Sequence, residues 1–307
     1  MLHISDIEKR LKRNPEPREV KEMRENIMNS FSNLEFFEGP HKYILHKPNG
    51  EDKELPSVSS VVHKFEPHVD WDVIRINKAK KEGVDPEALK RQWEENNVTS
   101  TSNGSKTHLY GENLMKFFQG DFDNMDEEIT HYQFDKGYLI PYGNKERAVS
   151  KFYEDLLDND NVWPVMPEAK IYTGLNDTFH LQNDYCGTFD MLFASRGKDG
   201  IIRPFLADWK TNKALQSDYN RAYGKMMLPP FDDIVDEPLG HYTLQLSLYS
   251  MGLEQLGYKM THRVIVWLKD DGTYEKIPVP DLSDRLKEVL YCIFIIQIQY
   301  SFSHYLN

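Results

Sequence analysis

The sequence predicts an α/β fold in the order helix, three strands, helix, strand. Residues 186–213, CGTFDMLFASRGKDGIIRPFLADWKTNK, hold two apolar runs around a turn rich in Gly, Lys and Asp. They read as strands over roughly 187–194 and 202–209. Residues 162–172 form a strand candidate just upstream, so three strands follow one another. HYTLQLSLYSMGLEQLG then carries Leu246, Tyr249, Leu253 and Leu256 at helical spacing, and a further strand candidate follows over 261–268.

At 307 residues the chain can bury one large core or two small ones. With 39% hydrophobic and 28% charged residues it has the composition of a soluble protein, and the charged start MLHISDIEKRLKRN lacks a signal peptide's apolar centre. The longest apolar run, 289–296, is too short to span a bilayer and is expected to be a buried helix or strand. Two cysteines, Cys186 and Cys292, exclude a disulfide framework and a four-cysteine zinc or iron–sulfur site within one chain. An intracellular, cytoplasmic protein is expected. A net charge of −12 argues against non-specific coating of nucleic acid, but not against an enzyme that gathers acids around metal ions.

Taken in order, residues 1–30 place Ile4, Ile7 and Leu11, then Val20, Met23 and Ile27, on two short amphipathic helices divided by Pro15 and Pro17. Residues 36–62 read as a hairpin around Lys47-Pro48-Asn49-Gly50, with a helix starting at Pro56-Ser57. Residues 70–118 are helical. Arg75, Lys78, Lys80, Lys81, Lys90 and Arg91 give them a positive bias over Glu82, Asp85 and Glu87, and Trp71 and Trp93 punctuate them. Asn103-Gly104-Ser105 is expected to break this helix and cap the next one, on which His108 and Glu112 share a face. Residues 121–128 are an acidic loop, and residues 144–157 a helix turning Val149, Phe152, Tyr153 and Leu156 inward. A long polar segment runs from Lys210 to His241, and its end, LPPFDDIVDEP, reads as an exposed loop. A hairpin across Asp270-Asp271-Gly272 and a C-terminal helix close the chain.

Each of the three successive strands bears one acid among apolar neighbours: Glu168, Asp190 and Asp208. A hairpin symmetric about Asp199 sets Asp190 opposite Asp208, on the face that also carries Lys210. Like charges so placed repel, and a divalent cation supplies the missing counter-charge, with Lys210 as a positive group near a reacting anion. Alone, the pattern equally describes a solvent-facing hairpin with three surface charges. Gln245 and Tyr249, one helical turn apart, alone read as a core stripe.

Together these stretches resemble the RecB-like branch of the PD-(D/E)XK nuclease superfamily, which includes CRISPR-adaptation nucleases, the mitochondrial genome-maintenance exonuclease and many phage exonucleases. The resemblance rests on an ordered set: Gly104 with His108, the strand acid Glu168, Gly187 with Asp190, Asp208 with Lys210, and Gln245 with Tyr249. The segment PSVSSVV and the region from Trp71 to Trp93 also look like phage members. Unlike some relatives, this chain lacks the cysteines for an iron–sulfur cluster.

The resemblance implies a central mixed sheet flanked by helices, αβββαβ, with a helical insertion. It divides a single nuclease domain into N-terminal helices and hairpin (1–66), the insertion with the His motif (67–135) and the catalytic core (136–307). It implies Mg²⁺ or Mn²⁺ held by His108, Asp190, Asp208 and the backbone carbonyl of Trp209, the imidazole favouring Mn²⁺. Glu168 is then a further acid, and Lys210 orients or deprotonates the attacking water. Gln245 and Tyr249 position the substrate strand. Lys213, Arg221, Lys225 and the basic face of residues 75–91 track phosphates. The implied activity is metal-dependent exonucleolytic cleavage of DNA, on single strands or ends, in replication or recombination. The implied partners are DNA and a replication or recombination protein, with no membrane. Alternatives are a structure-specific endonuclease using the same site, and an inactive nucleic-acid-binding or assembly module.

Overall fold

The computed structural model describes residues 2–122, 132–175 and 184–290. Helices α1 (Ile4–Arg13) and α2 (Arg18–Ser30) stand on either side of the two prolines, and α2 buries Val20, Met23 and Ile27. A three-stranded antiparallel meander follows: β1 (Leu34–Phe37), β2 (Lys42–His46) and β3 (Asp52–Leu55). It is the expected hairpin with one strand added at its edge. Ser57 caps α3 (Val58–Val62), its hydroxyl accepting from the Ser60 N–H.

Helix α4 (Trp71–Glu82) ends at Gly83 in the left-handed conformation, and α5 (Pro86–Phe118) starts from the Asp85 cap with Pro86 in its first turn. α5 overturns the expected break, because it passes uninterrupted through Asn103, Gly104 and Ser105. A glycine inside a helix costs about 1 kcal/mol, which is small beside the burial of Thr107, Tyr110, Leu114, Met115, Phe117 and Phe118 in the following turns. A β-carbon at 104 would lie 3.6 Å from Thr211 Oγ1, an ordinary contact, so the helix there has room for a side chain and the glycine is no cap. Within the stretch 67–135 one helix, α5, thus carries both an exposed arm and a buried core segment.

After β4 (Tyr132–Asp135), β5 (Tyr138–Pro141) and α6 (Asn144–Glu154), the main sheet forms from β6 (Val162–Tyr172), β7 (Cys186–Arg196), β8 (Ile202–Lys210), β9 (Arg263–Leu268) and β10 (Tyr274–Val279). Their spatial order is β10-β9-β8-β7-β6, antiparallel except between β8 and β9. A parallel neighbour needs a crossover. Here it holds the short α7 (Asp218–Ala222) and α8 (Pro238–Glu254), and α8 packs on one face of the sheet. That face shares its core with α2, α3 and the meander; α1, α5 and α6 cover the other with Tyr110, Phe118, Val149, Phe152 and Tyr153 against Met191, Phe193 and Trp209.

The β7–β8 register, Met191↔Ala207 to Arg196↔Ile202, is symmetric about Asp199, whose carboxylate takes two hydrogen bonds from Arg203 at 3.0 and 2.6 Å. The LPPFDDIVDEP segment is an exposed loop only in part: Leu228, Pro229, Asp232 and Asp233 are exposed, but the segment is pinned from both sides. Phe231 is buried edge-on to Phe65, and Arg285 grips Asp233 at 3.0 and 2.6 Å. Residues 283–290 are helical. The apolar run 289–296, Cys292, the acidic loop 121–128 and the turn 174–177 lie wholly or partly outside the described residues. Among the described residues no helix is long and apolar enough to cross a membrane.

Candidate functional site

The three strand acids come from neighbouring strands. Glu168 lies opposite Asp190, between the pairs Pro167↔Met191 and Ala169↔Phe189. Asp208 follows the Met191↔Ala207 pair on β8. Glu168 has φ +43°, a left-handed conformation that costs a non-glycine residue about 1–3 kcal/mol and that concentrates at functional sites. From α5, one turn beyond Gly104, His108 reaches Asp190 with Nδ1 to Oδ2 at 3.3 Å and Glu168 Oε1 at 4.0 Å. The donor atoms of His108, Glu168 and Asp190 all lie within 4.8 Å of one another, a group that can hold a metal ion. Asp208 is instead ion-paired with Lys210. The backbone N–H of Trp209 donates to Asp190 Oδ2 at 2.8 Å and links the two carboxylates through the chain.

Three carboxyls thus face two cations, and their protonation reflects it. Burial, then the charge of Asp190, pushes Glu168 up to about 8. Burial and Asp190 likewise push Asp208 up to about 6, against the pull of Lys210. Burial also opposes the charge on Asp190, but His108, Lys210 and the Trp209 N–H outweigh it and hold the carboxyl below the usual aspartate range. His108 rises to about 9, because Asp190 and Glu168 overcome the cost of burial. Lys210 is buried too, yet Asp208 and Asp190 hold it above the ordinary lysine value, so it stays an ammonium and is no base in this state.

The remaining motif residues pack around this centre. The Lys210 ammonium meets Gln245 Oε1 at 3.4 Å, and the Gln245 amide donates to Tyr249 Oη at 3.2 Å. Tyr249 is buried. A β-carbon at Gly187 would lie 2.8 Å from its ring and 3.1 Å from Val58, so the glycine makes room for the tyrosine and for the PSVSSVV helix. Tyr249 thus meets the centre through Gln245. Trp209 packs its ring against Phe152 and over Gly111, where a β-carbon would lie 2.5 Å from its Nε1.

A cleft of about 1370 Å³ opens beside the centre, lined by Ser100, Gly104, Lys106, Tyr142, Lys213 and Tyr242 among others. None of the five charged residues lines it; Tyr242 stands between, its ring 4.1 Å from the Lys210 ammonium and its hydroxyl donating to Asn212 at 2.9 Å. Of the basic residues expected to track phosphates, Lys213 lines the cleft. Arg221 is clasped by Glu237 at 2.9 and 2.6 Å, and Lys225 lies over the Tyr219 ring, so neither faces it. Part of the basic face of residues 75–91 is ion-paired: Arg75 with Asp72 and Glu87, Lys78 with Glu82, and Lys90 with Glu94. Tyr242 and Asn212 escaped the sequence reading. Tyr242 stands one turn before Gln245 on α8, and that i, i+3 spacing was its available signal. No family model matches this sequence, and no curated protein matches it.

Proposed function

We propose that this chain is a metal-dependent deoxyribonuclease of the PD-(D/E)XK type that hydrolyses phosphodiester bonds in single strands or at DNA ends. One observation carries the reading: acids from three adjacent strands meet a helical histidine and a buried lysine at one point of the sheet. The helix–three strands–helix–strand order and the single parallel pair β8–β9 support the same fold type. The donor set suits a divalent cation, because oxygen ligands with one imidazole fit Mn²⁺ or Mg²⁺. His108, Glu168 and Asp190 would hold it, with Asp208 and the Trp209 carbonyl beside them. A bound cation would polarise the phosphate and lower the pKa of a coordinated water.

The chain's own residues supply the rest. Lys210, kept charged, sits where negative charge grows on the phosphate, and Gln245 fixes the direction of its ammonium. Asp190 is fixed by the Trp209 N–H, so it is held ready as an acceptor. The polar cleft exceeds the size of small-molecule pockets and offers hydroxyls, amides, three lysines and an exposed tyrosine to a strand.

Digestion of end-labelled linear and circular DNA, single- and double-stranded, with Mg²⁺, Mn²⁺ or EDTA tests the proposal. Cation-dependent shortening of linear strands, with circles spared, is the expected result. Cutting of closed circles moves the enzyme to the endonuclease reading. No cleavage of any substrate with either cation sinks the nuclease reading.

A further inference from the structure

A second cluster of unpaired polar groups lies where α1, the end of α5 and the start of β6 meet. Arg10 is only 2% exposed and stacks its guanidinium 4.5 Å over the Phe118 ring. Its Nη2 donates to the Val162 carbonyl at 2.7 Å, but its Nε has no partner. Asp160, whose charge Arg10 feels, is bonded instead to Arg13 at 2.9 Å. Arg263 is as deeply buried and shows the contrast, with Nη2 on Asp281 and Nε on Ser250, both at 2.6 Å. A buried guanidinium without a carboxylate is costly, and burial pulls Arg10 down to about 10.

Arg10 borders a cavity of about 80 Å³ that Trp163, Arg24, Glu16 and Gln119 also line. The Trp163 indole N–H is buried and likewise without a partner. Arg24 and Glu16 satisfy each other, so the positive charge left over in the lining is that of Arg10. About 10–15 Å³ of such space holds one water, so the cavity admits something larger. Unpaired donors, one charged, ask for an acceptor-rich anion.

We propose that this cavity binds a phosphate-sized oxyanion through Arg10 and Trp163. The site stands apart from the carboxylate centre and does not depend on the nuclease reading.

The test is thermal melting and titration calorimetry of the full chain in EDTA, with inorganic phosphate or a nucleoside 5′-monophosphate at constant ionic strength set by chloride. Wild type should show a saturable rise in melting temperature with phosphate. Arg10→Met should weaken the apparent affinity about tenfold or more, the loss expected for a charge-assisted hydrogen bond. Trp163→Phe keeps the ring and should weaken it about threefold or more; it carries the test if Arg10→Met does not fold. Asp190→Asn, at the other site, should leave the affinity unchanged. Equal response to the monophosphate shows that the cavity takes the phosphate group of a larger molecule, and response to inorganic phosphate alone shows a free anion. No response in wild type, or the same response in wild type and both cavity variants, overturns the proposal and leaves the cavity to water.

Discussion

Glu168→Gln should make the metal-free protein more stable at alkaline pH, with no gain in acid. The Glu168 carboxyl rises from an ordinary 4.5 to about 8, for burial and the neighbouring Asp190 both disfavour its charge. An acid whose folded value lies above its unfolded one keeps its proton longer in the native state. Its contribution is full below about pH 4.5 and is lost as pH climbs through 8. At about 1.4 kcal/mol per unit, the upper limit of that loss is about 5 kcal/mol. The side chain is 30% exposed and shares its protons with Asp190 and His108, so about 1–2 kcal/mol is the expected part at pH 8.5. Glutamine keeps the shape and cannot ionise. Thermal melting in EDTA should therefore show the variant about 1.5–3 °C above wild type at pH 8.5, with the two curves converging at pH 5. Curves that stay parallel from pH 5 to 8.5 would refute the reasoning, since they would mean that Glu168 is solvated and no part of a crowded acidic centre.

Lys210→Ala should leave metal and DNA binding intact and slow cleavage of a labelled strand by about 10² or more, the size of one lost electrostatic group; near-wild-type cleavage would remove Lys210 from the chemistry. Mn²⁺ should raise the melting temperature of wild type more at pH 8 than at pH 6, because Glu168 and His108 must give up protons to bind it; a pH-independent shift would place the ion elsewhere. Gly104→Ala should stabilise the fold by about 0.5–1 kcal/mol in urea unfolding, as alanine favours a helix interior, and a loss would mean that the position is a break after all.

The β7–β8 hairpin was legible down to its register, because turn chemistry at Asp199 and alternating apolar residues are local signals. The strand acids and the one-turn pairs His108–Gly104 and Gln245–Tyr249 were legible for the same reason. Continuity of α5 was not, since the weak residues at 103–105 are carried by packing against residues distant in sequence. Phe231 was likewise hidden in a polar, proline-rich segment, its partner Phe65 lying far upstream. Of the charges of residues 75–91, Arg75, Lys78 and Lys90 meet acids three or four residues away, a pairing that helical spacing sets and a charge sum does not show. That Glu168 joins His108 and Asp190 while Asp208 turns to Lys210 depends on a backbone angle and an ion pair that no spacing encodes.

The unbroken α5 has a mechanical consequence. Its 33 residues make a rod of about 50 Å, clamped where Thr107 bonds Glu146 at 2.9 Å and where Gly111 lies against Trp209. His108 lies between these two clamps, and the turns beyond it, with Tyr110, Leu114, Met115, Phe117 and Phe118, are buried. A rod anchored along its buried half fixes the imidazole against Asp190, while its outer turns, with Val98 exposed, extend past that anchor.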